Sequence, residues 1–257
     1  MKSLRNIKLI LGFDGTAYHG WQIQADRPTV QGALSAAIKR ITGEEISPTG
    51  SGRTDSGTHA RGLVANFLTH SRIPPKRMAQ ALNSSLPEDI RVLSARRIPL
   101  RFHARRDARS KIYRYQVYLG KVMPPHLSRE HFHYPYPVDL GKMQEAARLF
   151  EGEHDFASFA AKCGQGGSSD TGRMTPRNTV RRILACKLRL RGNRLLFTVE
   201  GSGFLQHMVR NMAGTLLEIG GGRMTADQLE RLFEKKDRRL AGFAAPAHGL
   251  ILLRVLY

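Results

Sequence analysis

The chain has 257 residues, enough for one large domain or two modest ones with a sizeable core. Its 41 Lys and Arg against 21 Asp and Glu leave a formal net charge of +20, the electrostatic footprint of a protein that meets nucleic acid or an anionic membrane. No apolar stretch approaches the ~20 residues of a membrane-spanning helix, residues 1–10 lack the long apolar centre of a signal peptide, and two cysteines, Cys163 and Cys186, are too few for a disulfide framework or a thiolate metal cage. A soluble cytoplasmic protein without a membrane partner is the expectation.

In chain order, residues 8–13 read as a strand, and a turn-rich loop follows over 14–27. A helix then begins near Pro28 or Thr29 and stops at Gly43, because Val30, Leu34, Ile38 and Ile41 recur at helical spacing. A strand over 62–69 places Asp55 in the loop that feeds it. A second helix spans 76–85, ended by Pro87, before a strand over 90–95. Between Arg96 and Arg114 eight Lys and Arg stand against the single acid Asp107. Such a run is either a solvated face or a strip that grips a phosphate backbone, and its place between two halves favours the strip.

The second half repeats the theme. Residues 111–119 read as a strand and 139–151 as a helix closed by Gly152. Residues 179–190 and 194–200 alternate as a hairpin turning at Gly192-Asn193, with Cys186 as a small core hydrophobe. The Gly- and Ser-rich stretch 162–173 reads as a flexible loop and lacks the Gly-Lys-Ser/Thr ending of a phosphate loop. A helix over 204–219 follows, then another opened by a Thr225/Gln228 capping box, and 249–256 closes as a strand. The pattern is α+β in two similar halves, divided as 1–105, which carries the Asp55 loop, and 106–257.

The nonamer Gly52-Arg53-Thr54-Asp55-Ser56-Gly57-Thr58-His59-Ala60 carries the most chemistry. Glycines on both sides of Asp55 allow sharp turns and close approach of another segment. In an extended stretch Arg53 shares a face with Asp55, and a nearby cation favours the ionised carboxylate that a nucleophile requires. The same residues also suit an Asx turn, since Asp-Ser-Gly is a common turn sequence. Elsewhere, Arg210 falls opposite the apolar stripe Leu205, Met208, Val209, Met212, Leu216 and Ile219. The nearby Gly214 costs the helix about 1 kcal/mol relative to Ala, which close approach by another group would explain. Tyr113 and Tyr115 share a strand face, the usual mark of packed core aromatics. His131 and His133 have a ligand-like spacing but no accompanying cysteine or acid cluster, so no metal site is expected.

The nonamer resembles the catalytic segment of the TruA family of tRNA pseudouridine synthases, departing from it at Thr58, where the family usually has valine. Further blocks resemble that family in the same order: Phe13-Asp14-Gly15-Thr16-Ala17-Tyr18-His19-Gly20-Trp21, Ser110-Lys111-Ile112-Tyr113-Arg114-Tyr115, Asn178-Thr179-Val180-Arg181, Gly203-Phe204-Leu205-Gln206-His207-Met208-Val209-Arg210-Asn211 and Ala245-Pro246-Ala247-His248-Gly249-Leu250. The resemblance implies a pseudouridine synthase fold: two similar α/β subdomains with antiparallel sheets joined across a central basic cleft. It also implies a homodimer and an isomerase acting on uridines 38–40 in the anticodon stem-loop of tRNA. By the same resemblance Asp55 is the nucleophile, Arg210 pairs with it, and Tyr113 contacts the substrate base and secondarily relays a proton. Leu250 is an apolar wall of the pocket, and Arg53 reaches a phosphate or helps extrude the nucleotide. The isomerisation gains no atoms and changes no oxidation state, so no cofactor is expected. Two rival classes are a basic RNA-binding protein of the same fold without catalysis, and a metal-dependent nuclease using Asp14, Asp55 and neighbouring histidines.

Overall fold

The first strand, β1 (Arg5–Phe13), turns Ile7, Leu9, Leu11 and Phe13 to one face, where all four are buried, as two-residue alternation dictates. The computed structural model describes residues 3–161 and 178–257. The chain continues through α1 (Val30–Thr42), β2 (Thr49–Gly50), β3 (His59–Thr69), α2 (Pro75–Ser85), β4 (Ile90–Ile98) and β5 (Ser110–Tyr118). Next come β6 (Phe132–His133), α3 (Leu140–Arg148), β7 (Gly152–Asp155), β8 (Val180–Arg191), β9 (Arg194–Gly201), α4 (Met208–Gly220), α5 (Ala226–Lys235) and β10 (Leu250–Leu256). The α+β class follows directly. The expected loop over 162–173, with Cys163, lies outside the described residues.

The chain packs as two units. The first holds the residues up to Arg114 together with Arg129–His131 and Ala247–Tyr257. Its strand order is β4-β1-β3-β10-β5, with β1 antiparallel to both neighbours and β10 parallel to β3 through Ile251↔His59 and Leu252↔Ala60. That pairing draws 247–257 into the first unit, where the division at residue 105 kept it with the second half. One sheet face is covered by α1 and α2, whose Val30, Leu34, Ile38, Met78 and Leu82 are fully buried. The caps of α1 fall where its sequence signals place them: the Thr29 hydroxyl accepts from Gly32 N–H, and Gly43 closes the helix in the left-handed region.

The other face of the first sheet is polar and organises a loop. Asn6 donates to the carbonyls of Pro99, Leu100 and Phe102, while Asn66 donates to Asn6 and accepts from Ala104 N–H. The Tyr257 hydroxyl donates to the Ala104 carbonyl at 2.7 Å, and Lys8 lies over the Phe102 and Tyr257 rings. Residues 99–104 are thereby bolted down, and Arg96, Arg97, Arg101, Arg105, Arg106 and Arg109 around them are exposed or partly so. Because β4 is an edge strand, its arginines also discourage strand addition by another chain.

The second unit, Tyr115–Ser128 and Phe132–Pro246, has strand order β5-β9-β8-β7, with β8 antiparallel to both neighbours. Its core centres on Phe150, Phe156 and Phe159, all fully buried, with Phe233 edge-on to Phe150 and Phe156. The α5 capping box is present in both directions, Thr225 with Gln228.

Two helices differ from the expectation. The helix expected from Phe204 starts at Met208, because His207 sits at φ 62°, a left-handed conformation that an α-helix cannot continue through. The helix expected to reach Glu151 ends at Arg148, after which Leu149, Phe150 and Glu151 each bond three residues back in a tightened turn. The short strands β2, β6 and β7 have no sequence signal, being two to four residues long and lacking apolar alternation. Truncating the centre of the aromatic cluster, Phe150→Ala, is expected to lower unfolding free energy by about 3–5 kcal/mol, measurable by denaturant titration.

Candidate active site

Residues 51–58 link β2 to β3 and carry Arg53 and Asp55. A backbone turn shapes the end of this loop: Thr58 N–H donates to the Asp55 carbonyl at 3.1 Å, and Gly57 takes φ 78°, as a type II turn demands of its third residue. The Asp-Ser-Gly turn is therefore real for the backbone, and it sets where the half-buried Asp55 side chain starts.

The 14–21 segment clamps this loop backbone to backbone. Trp21 N–H donates to the Thr54 carbonyl, and Gly57 N–H donates to the Tyr18 carbonyl at 3.2 Å. A Cβ at Gly20 would stand 2.3 Å from the Thr54 oxygen, and one at Gly15 would stand 2.1 Å from the Thr58 oxygen. Both are far inside van der Waals contact, so only glycine fits. Trp21 is 2% exposed, its indole pressed against Gly50. It anchors the loop.

His59 supports the loop from beneath. The ring is 1% exposed; Nδ1 accepts from Gly15 N–H at 3.0 Å and Nε2 bonds the Arg129 carbonyl at 2.8 Å. Those partners make Nδ1 the bare nitrogen and put the proton on Nε2. Asp14 Oδ1 lies 3.2 Å from Nδ1, but the Gly15 N–H occupies that lone pair, so the contact is not an ion pair of a charged ring. Asp14 also accepts from both the N–H and the hydroxyl of Thr16, which makes it a turn-closing group. The role of His59 does not follow from the nonamer alone; its polar character amid buried neighbours is the only local signal of it.

Tyr113 and Tyr115 share a face of β5 but do different things. The Tyr115 hydroxyl donates to the Pro246 carbonyl at 2.8 Å, and burial pushes its phenol far above the ordinary range against the pull of the Arg210 charge. The Tyr113 phenol is raised first by burial and then by the negative charge of Asp55. Tyr113 and Asp55 are thus brought together within the first unit. Leu250, buried at the start of β10, follows a segment whose Ala247 methyl lies 3.6 Å from where a Gly57 side chain would begin. Arg53 is exposed.

Arg210 belongs to the second unit. Its Nε donates to the Ala245 carbonyl at 2.7 Å, and Ala245 N–H returns a bond to the Arg210 carbonyl. The close approach that Gly214 suggested is made by the chain itself: a Cβ there would stand 1.8 Å from the Phe243 carbonyl oxygen. Gly242 N–H donates to the Thr215 hydroxyl beside it. The α4 face opposite the apolar stripe is thus covered by residues 242–245, and the helix is buried nearly all round.

Among the described residues no group of three or more His, Cys, Asp or Glu side chains is placed to hold a metal ion, and no helix is long and apolar enough to cross a membrane. His133 Nε2 is engaged by the Gly120 carbonyl, and His131 is buried.

Relatives named for a single activity match nearly all of this chain and nearly all of their own length. Residues 10–107 and 146–257 match the model of a family described as tRNA pseudouridine synthase. A protein named tRNA pseudouridine synthase A from Caldicellulosiruptor saccharolyticus is 42% identical over 254 residues, which cover 99% of this chain and 100% of that protein. Another of that name from Moorella thermoacetica is 44% identical over 253 residues, covering 98% and 99%. A chain from the solved archaeal box H/ACA sRNP Nop10-Cbf5 complex aligns over 91% of this chain and 59% of its own, at 13% identity and a TM-score of 0.36, too distant to bear on the site. With a glycine-clamped aspartate loop and full-length relatives of this kind, the chain belongs to the tRNA pseudouridine synthase family.

Two outcomes test the site's local energetics. Thr58 is 1% exposed and its hydroxyl has no hydrogen-bond partner among the described residues; Thr58→Val is expected to raise unfolding free energy by about 1 kcal/mol by removing an unsatisfied buried polar group, read by denaturant titration. Tyr18, Tyr113, Tyr115 and Tyr257 all have raised phenols, with burial the leading cause. A group raised in the folded state binds its proton more tightly there than in the unfolded chain, so stability is full below about pH 10 and declines above it. An ultraviolet titration should show these four ionising only as the chain unfolds.

Proposed function

We propose that this protein converts uridine to pseudouridine in transfer RNA, at uridines 38–40 of the anticodon stem-loop. The observation that carries the reading is Asp55, held in a loop that two glycines let the opening segment grip, beside the buried ring of Tyr113. The reaction breaks the bond from uracil N1 to ribose C1′, turns the base, forms a bond from C5 to C1′ and releases the C5 hydrogen as a proton. Attack by Asp55 at C1′, attack at uracil C6, and glycal formation each need its carboxylate ionised. By the family resemblance, Arg210 would serve that need as the partner of Asp55. A phenol of ordinary pKa, about 10, already keeps its proton at neutral pH, and burial and the Asp55 charge raise that of Tyr113 further, so it acts first as a ring against the uracil and as a hydrogen-bond donor. Leu250 supplies an apolar wall and Arg53 a cation for the backbone or for extruding the nucleotide, a step that costs a few kcal/mol (~).

The exposed arginines around residues 96–109 suit recognition by shape and phosphate, which tolerates the varied neighbours of three adjacent uridines. The family resemblance supports a homodimer, and the substrate supports a cytoplasmic setting. The chemistry itself calls for no cofactor.

The test is tritium release from transfer RNA labelled at uracil C5, without added metal. Wild type is expected to release tritium, and Asp55→Asn to lose about 10⁴-fold in rate or more while still binding RNA. Replacing uridines 38, 39 and 40 together by cytidine is expected to abolish release. Binding without release by folded wild type would instead mark a non-catalytic RNA-binding protein; release from the triply substituted tRNA would move the target site.

A further inference from the structure

Gly52, the first residue of the nonamer, is not in the left-handed region, so backbone conformation does not explain it. What it accommodates is a side chain: a Cβ at Gly52 would stand 2.9 Å from Lys111 Nζ and 3.8 Å from Lys111 Cε. The Lys111 ammonium therefore lies against the backbone at the mouth of the Asp55 loop. Lys111 sits two residues before Tyr113 on β5, so both side chains leave the same strand face, about 7 Å apart along it. Tyr113 in turn feels the charge of Asp55. The ammonium of partly buried Lys111 thus stands one nucleotide's reach from the ring and the carboxylate.

We propose that Lys111 is a positioning residue that holds a phosphate of the very nucleotide reacting at Asp55, with Gly52 kept small so that the ammonium can rest there. This deepens the pseudouridine-forming reading and depends on it. An ammonium suits this role because it is a compact point charge with three rotatable donors, able to follow a phosphate as the nucleotide swings out of its stack. A guanidinium, planar and wider, would meet the loop backbone where Gly52 leaves room only for a narrow group. The exposed arginines of residues 96–109 grip the backbone in general; Lys111 acts at the reacting unit, where a phosphate held at one end of the nucleotide fixes where its base falls at the other.

The two sides of the contact can be altered separately. Lys111→Gln removes the charge, whereas Gly52→Ala leaves the charge and forces the ammonium aside, at little cost because a lysine tip is flexible. Lys111→Gln is expected to raise KM for tritium release about tenfold, with kcat within about threefold of wild type, and to reduce the log–log salt dependence of KM by about 0.7–0.9, one phosphate's worth; Gly52→Ala keeps the charge and is expected to raise KM less while leaving the salt dependence in place. The double variant is expected to be no worse than the worse single variant, since both remove one contact. Lys111→Arg should keep the salt dependence while still raising KM. Unchanged salt dependence in Lys111→Gln, or a fall in kcat as its main effect, would overturn the assignment of Lys111 to a phosphate while leaving the isomerase reading intact. Absence of release by wild type would overturn the isomerase reading and this proposal with it. Thermal unfolding of both variants at the wild-type midpoint establishes that fold is not what changed.

Discussion

Everything about the site depends on how closely two stretches of backbone approach one another. The Thr54 and Thr58 carbonyls occupy space where side chains at Gly20 and Gly15 would otherwise be, and N–H groups from the two stretches bond across the gap. A loop between strands ordinarily has many conformations, and ordering it costs roughly 1–2 kcal/mol per residue. Here the cost is offset by backbone bonds whose geometry admits no slack, with Trp21 and His59 packed behind them. The result is a carboxylate whose starting point is defined before any substrate arrives, which is the condition for preorganised catalysis.

The second unit treats its own candidate residue in the same way. Arg210 is oriented through its Nε by a main-chain carbonyl, and the segment supplying that carbonyl is pressed onto α4 at a glycine. A guanidinium has several donors, so anchoring one through a backbone acceptor leaves the planar fork aimed by the fold rather than by its own rotamers. In both units glycine is less a hinge than a surface against which another chain segment lies.

Much of the fold was legible in the sequence, for specific reasons. Helical spacing of Val30, Leu34 and Ile38, flanked by Thr29 and Gly43, defines α1 nearly to the residue, and the Thr225/Gln228 pair marks the start of α5. Local signals fail where the decisive event is a long-range contact. Nothing near Phe204 announces that His207 will adopt a left-handed conformation, and nothing near Leu250 announces a parallel pairing with residues almost two hundred positions earlier. At the site, a likeness to known sequences pointed to Asp55, Tyr113 and Arg210. The partners that hold the surrounding frame, His59 with Gly15 and Arg129, and Gly214 with Phe243, are visible only once the chain is folded.

The parallel pairing of β3 with β10 bears on how the protein is made. The first unit contains Leu250–Leu256 as an interior strand in its order, between β3 and β5. During synthesis at ~5–20 residues per second, the 136 positions from Arg114 to Leu250 take on the order of ten seconds or more to appear. For that interval the β3 edge has neither its neighbour nor the aspartate loop its Ala247 abutment. The half of the protein translated first is thus the half completed last.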